Sequence, residues 1–145
     1  MPLSETQVAH LQKEGYEIQR KISEGGQGEV YKAVFKPTEE LVALKVIHRN
    51  KIKSRTDLFS IQQEVCILRK VSHPNVVKLV DAFTNSEGAY IALEFLGGLD
   101  LFEVMKAGSV FNERKALGIM RQILDALAHL HTLGISHCDI KLENV

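Results

Sequence analysis

At 145 residues, with 45% hydrophobic and 25% charged side chains, the chain has the length and composition of one globular domain, which excludes wholesale disorder, collagen-like repeats and a disulfide-dense secreted scaffold. Lys and Arg number 18, as do Asp and Glu, so no dominant electrostatic attraction to nucleic acid or to a membrane surface is expected.

Residues 1–15 read as an N-terminal leader: Glu5 comes early and no apolar core of a secretory signal is present. From Tyr16 to His48 the residues favour β-structure and are broken by Glu24-Gly25-Gly26-Gln27-Gly28 and Lys36-Pro37-Thr38-Glu39-Glu40. Three antiparallel strands are expected, over 16–23, 29–35 and 41–48. A basic stretch, Arg49 to Arg55, then leads into a helix in which Leu58, Ile61, Val65 and Leu68 recur at spacings of three and four. After the turn His73-Pro74-Asn75, two apolar runs over 76–83 and 89–95 complete a five-stranded sheet carrying one helix. The pattern is α+β to this point.

Past Gly97-Gly98 the pattern becomes helical. Asp100 is placed to cap a short helix through Met105, and Asn112 a long one ending at Leu133 and Gly134. Leu117, Ile119, Met120, Ile123, Leu124, Leu127, Leu130 and Leu133 cover roughly 220° of that long helix at ~100° per residue, twice the usual stripe. It should sit in the middle of a core, and so few residues follow it that an exposed apolar helix, driving self-association, is expected. No apolar run reaches membrane-spanning length. Cys66 and Cys138 form no Cys-x-x-Cys pair, which argues against a disulfide framework or zinc site and for a reducing compartment, cytoplasmic or nuclear.

Three segments carry chemistry. In Gly25-Gly26-Gln27-Gly28 the glycines let backbone N–H groups approach a phosphate, although a plain hairpin turn has the same look. A dinucleotide-binding turn is excluded, because Gly28 runs into a strand and His48 stands where that motif needs an acid. Lys45, in Val42-Ala43-Leu44-Lys45, has apolar neighbours and needs a partner or a bound anion unless it faces outward; Glu64 on the next helix is the candidate partner. The run His137-Cys138-Asp139-Ile140-Lys141-Leu142-Glu143-Asn144 combines a base, a cation and an oxygen ligand, the set that handles a phosphate and its magnesium, and is otherwise a polar surface loop.

In this order the motifs resemble the eukaryotic protein kinase family, serine/threonine type, with Lys141 two residues after Asp139 and a texture similar to calmodulin-dependent kinases. The resemblance implies the family's five-stranded N-lobe over 16–95, a hinge over 96–99 and the start of a helical C-lobe over 100–145. It implies ATP and Mg2+ as cofactors, protein Ser/Thr hydroxyls as substrates, and no nucleic-acid or membrane partner. Gly25 and Gly28 would lie over the phosphates, with Lys45 on the α- and β-phosphates, held by Glu64. Ile22, Val30 and Ala43 would contact the nucleotide, Leu93 would guard the back of its pocket, and the backbone of Glu94 and Leu96 would hydrogen-bond adenine. Asp100 would meet the ribose or a basic substrate residue. Asp139 would orient and deprotonate the acceptor, Lys141 steady the γ-phosphate and Asn144 ligate magnesium.

Three departures stand out. Ser23 replaces the first loop glycine and Leu142 the usual proline, both tolerable. Cys138 replaces the arginine that pairs with a phosphorylated activation loop, which puts such control in doubt. The sequence ends at Val145 before any Asp-Phe-Gly, so the family's domain reads as incomplete. The expectation is therefore a kinase portion inactive by itself; the alternative is a non-catalytic regulatory or decoy pseudokinase module.

Overall fold

The computed structural model describes residues 3–25 and 28–145; Gly26 and Gln27 of the glycine-rich turn lie outside the described residues. The chain divides into two units. One runs to Lys70 and resumes over Lys78–Leu96; the other joins Val71–Val77 to Gly97–Val145.

The first unit opens with helix α1 (Glu5–Lys13), inside the segment that the sequence presents as a leader. Ser4 and Gln7 form a reciprocal capping box, each side chain bonding the other's backbone N–H at 3.1 Å, which satisfies two donors that a helix start leaves open. Strands β1 (Tyr16–Gly25), β2 (Gly28–Phe35) and β3 (Glu40–His48) follow, then α2 (Arg55–Lys70), β4 (Leu79–Asn85) and β5 (Gly88–Glu94). The strands form one antiparallel sheet in the order β1-β2-β3-β5-β4. The five-stranded α+β fold expected from the alternation is present. β4 starts at Leu79 rather than Val76, because the preceding residues turn, with the Val76 N–H donating to the His73 carbonyl.

Register sorts the side chains to two faces, since successive residues of a strand alternate. Cross-strand partners Val30, Lys45 and Ile91 form one row and Lys32, Ala43 and Leu93 the next, all on one face. There Ile47, Ile52, Ala89 and Ile91 are buried beneath Ile61, Val65 and Leu68 of α2. Ser54 and Asp57 start α2 reciprocally: the Ser54 hydroxyl accepts from the Asp57 N–H, and the Asp57 carboxylate accepts from the Ser54 N–H.

The opposite face carries Tyr31, Ala33, Val42, Leu44, Val46, Tyr90 and Ala92, buried together with Leu11 of α1 and Tyr16. Rings stack through this layer, Tyr16 on Phe35 at 4.9 Å and Phe83 on Tyr90 at 4.8 Å. The Tyr16 hydroxyl donates to Asp81 at 2.9 Å, tying β1 to β4. Burial, then the Asp81 carboxylate, pushes that phenol far up, so it stays protonated.

One charge sits inside this layer. Glu29, 2% exposed, accepts hydrogen bonds from Lys21, Tyr31 and His48. Burial alone would raise its carboxyl, but the bonds from Lys21, His48 and Tyr31 overcome that and hold it well below the usual carboxylate range. Just before it, Gly28 has φ 153°, and a Cβ there would run into the Val46 carbonyl, whereas a Cβ at Gly25 meets nothing within 4 Å. Gly28 is thus demanded by sheet packing as well as by any phosphate.

The second unit holds α3 (Leu101–Lys106) and α4 (Glu113–Thr132), capped by Asp100 and Asn112 as their sequence positions indicate. α4 ends in a Schellman turn: the Ile135 N–H bonds the Leu130 carbonyl and the Gly134 N–H that of His131, with Gly134 at φ 70°. The His73-Pro74-Asn75 turn packs on α4, His73 stacking on His129 at 5.1 Å and meeting Asp125 at 3.3 Å. Only Ala126 and Leu130 are buried among the described residues of α4, while Leu117, Met120 and Leu124 are about half exposed.

Two outcomes follow for stability. Gly28→Ala should cost about 2–4 kcal/mol in urea denaturation, from the backbone collision and the strained φ, and Gly25→Ala less than about 1 kcal/mol. Glu29 binds its proton more weakly folded than unfolded, so its contribution is complete above the unfolded carboxylate pKa and is lost as pH falls toward its depressed folded value. Glu29→Gln should lower stability by about 2 kcal/mol at neutral pH. That gap should shrink steadily when thermal denaturation is repeated from about pH 5 to about pH 3.

Candidate active site

The sheet face under α2 gathers Val30, Ala43, Lys45 and Leu93, four of the residues that sequence reasoning assigned to a nucleotide. Val30 and Lys45 are cross-strand partners, as are Ala43 and Leu93. The Lys45 ammonium lies 2.7 Å and 3.0 Å from the two carboxylate oxygens of Glu64, which α2 brings to the strand from 19 residues away. Lys45 is the more buried partner, its side chain 18% exposed against 38% for Glu64. That geometry rules out the plain outward-facing lysine, and it works because one face of α2 has Ile61, Val65 and Leu68 against the sheet and so fixes the height of Glu64. Gly25 and Gly28 are partners where β1 and β2 end at the turn, and Ile22 on β1 is 42% exposed.

At the end of β5, the Glu94 N–H donates to the Lys78 carbonyl and the Glu94 side chain accepts from the Lys78 N–H. Leu96 follows, 67% exposed, and the first unit ends there. Asp100 belongs to the second unit, where one carboxylate oxygen is engaged as the cap of α3, accepting from the Glu103 N–H at 2.8 Å.

The second unit brings Asp139, Lys141 and Asn144 together. The Lys141 ammonium is 2.9 Å from Asp139 Oδ2, and the Asn144 amide nitrogen donates to the same oxygen at 3.0 Å and to the Asp139 carbonyl at 2.7 Å. A one-turn 3-10 helix, Leu142–Asn144, folds Asn144 back over Asp139, and the Leu101 N–H anchors that turn by donating to the Val145 carbonyl. The hydrogen bonds from Lys141, then Asn144, lower the Asp139 carboxyl, and Asp139 in turn raises the Lys141 ammonium, so both are charged at neutral pH. Asn144 uses its nitrogen on Asp139, and among the described residues its side-chain oxygen, a hard donor of the kind magnesium takes, accepts no hydrogen bond.

Three features were not read from the sequence. α1 lacks a strong apolar period. The contact of Gln7 with His48 spans 41 residues. Cys138 stands at φ 62°, a left-handed backbone rare outside glycine, beside Asp139, whose N–H donates to His137 Nδ1. The Cys138 substitution drew attention to the position, but nothing in the sequence signals its backbone.

The protein kinase domain matches residues 16–145. Calcium-dependent protein kinase 5 of Plasmodium falciparum is 39% identical over 132 residues, 90% of this chain and 22% of that protein. Calcium/calmodulin-dependent protein kinase type 1B of Homo sapiens is 37% identical over 131 residues, 90% of this chain and 37% of its own length. Serine/threonine-protein kinase DCLK1 of Rattus norvegicus is 36% identical, with 91% of this chain and 30% of that protein covered. The chain therefore spans well under half the length of these relatives. With a sheet, an ion pair and a terminal loop that follow the family's motif order, and a domain match over residues 16–145, the chain belongs to the protein kinase family.

Proposed function

We propose that this chain is the ATP-binding part of a serine/threonine protein kinase, whose active form moves the γ-phosphoryl group of ATP to protein Ser or Thr hydroxyls. The Lys45–Glu64 pair carries this reading, because it sets an ammonium group on the same sheet face as Val30, Ala43 and Leu93. Val30 and Ala43 offer an apolar seat for adenine, closed at the back by Leu93, and the backbone at Glu94 and Leu96 offers polar groups to its edge. Ile22 adds apolar surface from β1. Glu64 restrains the Lys45 ammonium so that little reordering is needed when it meets the α- and β-phosphates. The Gly25 and Gly28 backbone lets N–H groups come close to phosphate oxygens.

In the catalytic loop the charged Asp139 carboxylate accepts the proton of the acceptor hydroxyl as that oxygen becomes a nucleophile. Lys141, fully protonated, stabilises charge on the γ-phosphate and keeps Asp139 ionised. Asn144 Oδ1 supplies a magnesium ligand, and magnesium when bound neutralises charge on the phosphates. Asp100 contributes its second carboxylate oxygen to the ribose or to a basic substrate residue. The names of the relatives support a serine/threonine acceptor. No described helix is long and apolar enough to cross a membrane.

The 145 residues contain no Asp-Phe-Gly and so only one of the magnesium ligands that the family uses. The polypeptide of these residues alone should therefore bind Mg-ATP without phosphorylating generic protein substrates when γ-labelled ATP is supplied. Turnover that persists through purification and disappears in Asp139→Asn would refute that expectation. In any longer form that carries an Asp-Phe-Gly, Lys45→Met should lower kcat/KM at least about a hundredfold. An unchanged kcat/KM would remove Lys45 from the site and with it the kinase reading.

A further inference from the structure

A chain of polar contacts runs from α1 to the ends of β1 and β2 on the outer face of the sheet. Gln7, 4% exposed, reaches His48 Nδ1 through its side-chain amide at 3.1 Å. The other ring nitrogen of His48 is 2.8 Å from Glu29 Oε2. Glu29 directly follows Gly28, and its other carboxylate oxygen meets the Lys21 ammonium at 2.5 Å. Lys21 also binds Glu24, so one ammonium joins the β1 and β2 arms of the turn. Apolar contacts would have closed this layer more simply, because a buried carboxylate must be compensated by several hydrogen bonds. The compensated charge lies next to the residues whose backbone is offered to phosphate. α1 itself, Glu5–Lys13, precedes the matched segment 16–145, yet its Leu11 is fully buried in the layer covering the sheet.

We propose that α1 is a working part of the nucleotide site, and that Gln7, His48 and Glu29 are positioning residues that hold the β1–β2 arms in register for the ATP phosphates. The inference rests on the nucleotide-binding reading above. Because the three side chains lie on the opposite face from Val30, Ala43 and Leu93, they act on phosphates through the strand ends at Gly25 and Gly28 and leave the adenine seat untouched. Phosphate and nucleoside affinities should therefore separate.

Calorimetric titration of the full chain with Mg-ATP and, separately, with adenosine tests this. Gln7→Ala, the mildest variant, should weaken Mg-ATP binding about fivefold and leave adenosine binding unchanged. Glu29→Gln should do the same more strongly where it stays folded. Hydrogen exchange should quicken at residues 22–25 and 28–30 in Gln7→Ala and stay constant at 89–93. Equal weakening of both ligands, or no change in either, with Lys45→Met still impairing Mg-ATP, would overturn the positioning role and leave the nucleotide site standing. Absence of Mg-ATP binding in the unsubstituted chain, or no effect of Lys45→Met, would overturn both.

Discussion

The arrangement of the first unit turns on one constraint: an ammonium group on a half-covered sheet face must be met by a carboxylate. Lys45 is placed by strand register, Glu64 by the pitch of α2, and the two meet only because Ile61, Val65 and Leu68 seat that helix on Ile47 and Ile91. A partly buried pair of this kind adds little net stability, since desolvation offsets most of the attraction. Its value lies in fixing where the cation points. Hydrophobic packing supplies the energy, and the ion pair converts packing into a directed charge beside an apolar seat.

The outer face reaches a comparable precision by different means. Tyr16, Phe35, Phe83 and Tyr90 stack across it, and Leu11 of α1 closes it. Glu29 is a buried charge in this layer, satisfied by donors from β1, β2 and β3. Gly28 is the hinge between the two requirements. The Val46 carbonyl forbids a side chain there, and the residue after it sends a buried charge into the layer. The positioning role proposed for Gln7, His48 and Glu29 follows from this link, which runs to Gly28 through a covalent neighbour and hydrogen bonds.

Much of this was legible in the sequence, for physical reasons. Strict alternation in Val42, Leu44 and Val46 fixes which face of β3 is buried, and hence that Lys45 shares the other face with Ala43. Asp100, Asn112 and Gly134 announce the ends of α3 and α4, because capping is a local interaction. The motif order carried the family, and the loop cluster of Asp139, Lys141 and Asn144 follows from residues at most five apart. What was not legible is non-local or conformational. α1 is mostly polar, and its Gln7 and Leu11 acquire meaning only against a sheet formed by residues far along the chain. A left-handed Cys138 has no compositional signature at all. The broad apolar face of α4 was legible as a pattern, on which Leu117 and Leu124 are more than half exposed.

Chemical-shift mapping of the uniformly labelled chain during titration with Mg-ATP tests the central claim most directly, since it reports where the ligand sits without requiring turnover. The largest perturbations should fall on Val30, Ala43, Lys45, Leu93 and the backbone of 94–96, with the Gly25 and Gly28 amides moving as phosphate arrives. Tyr31, Leu44 and Tyr90, on the other face of the same strands, should move least. Perturbations centred on that outer face, or none at millimolar Mg-ATP, would contradict the assignment of this sheet as a nucleotide-binding surface.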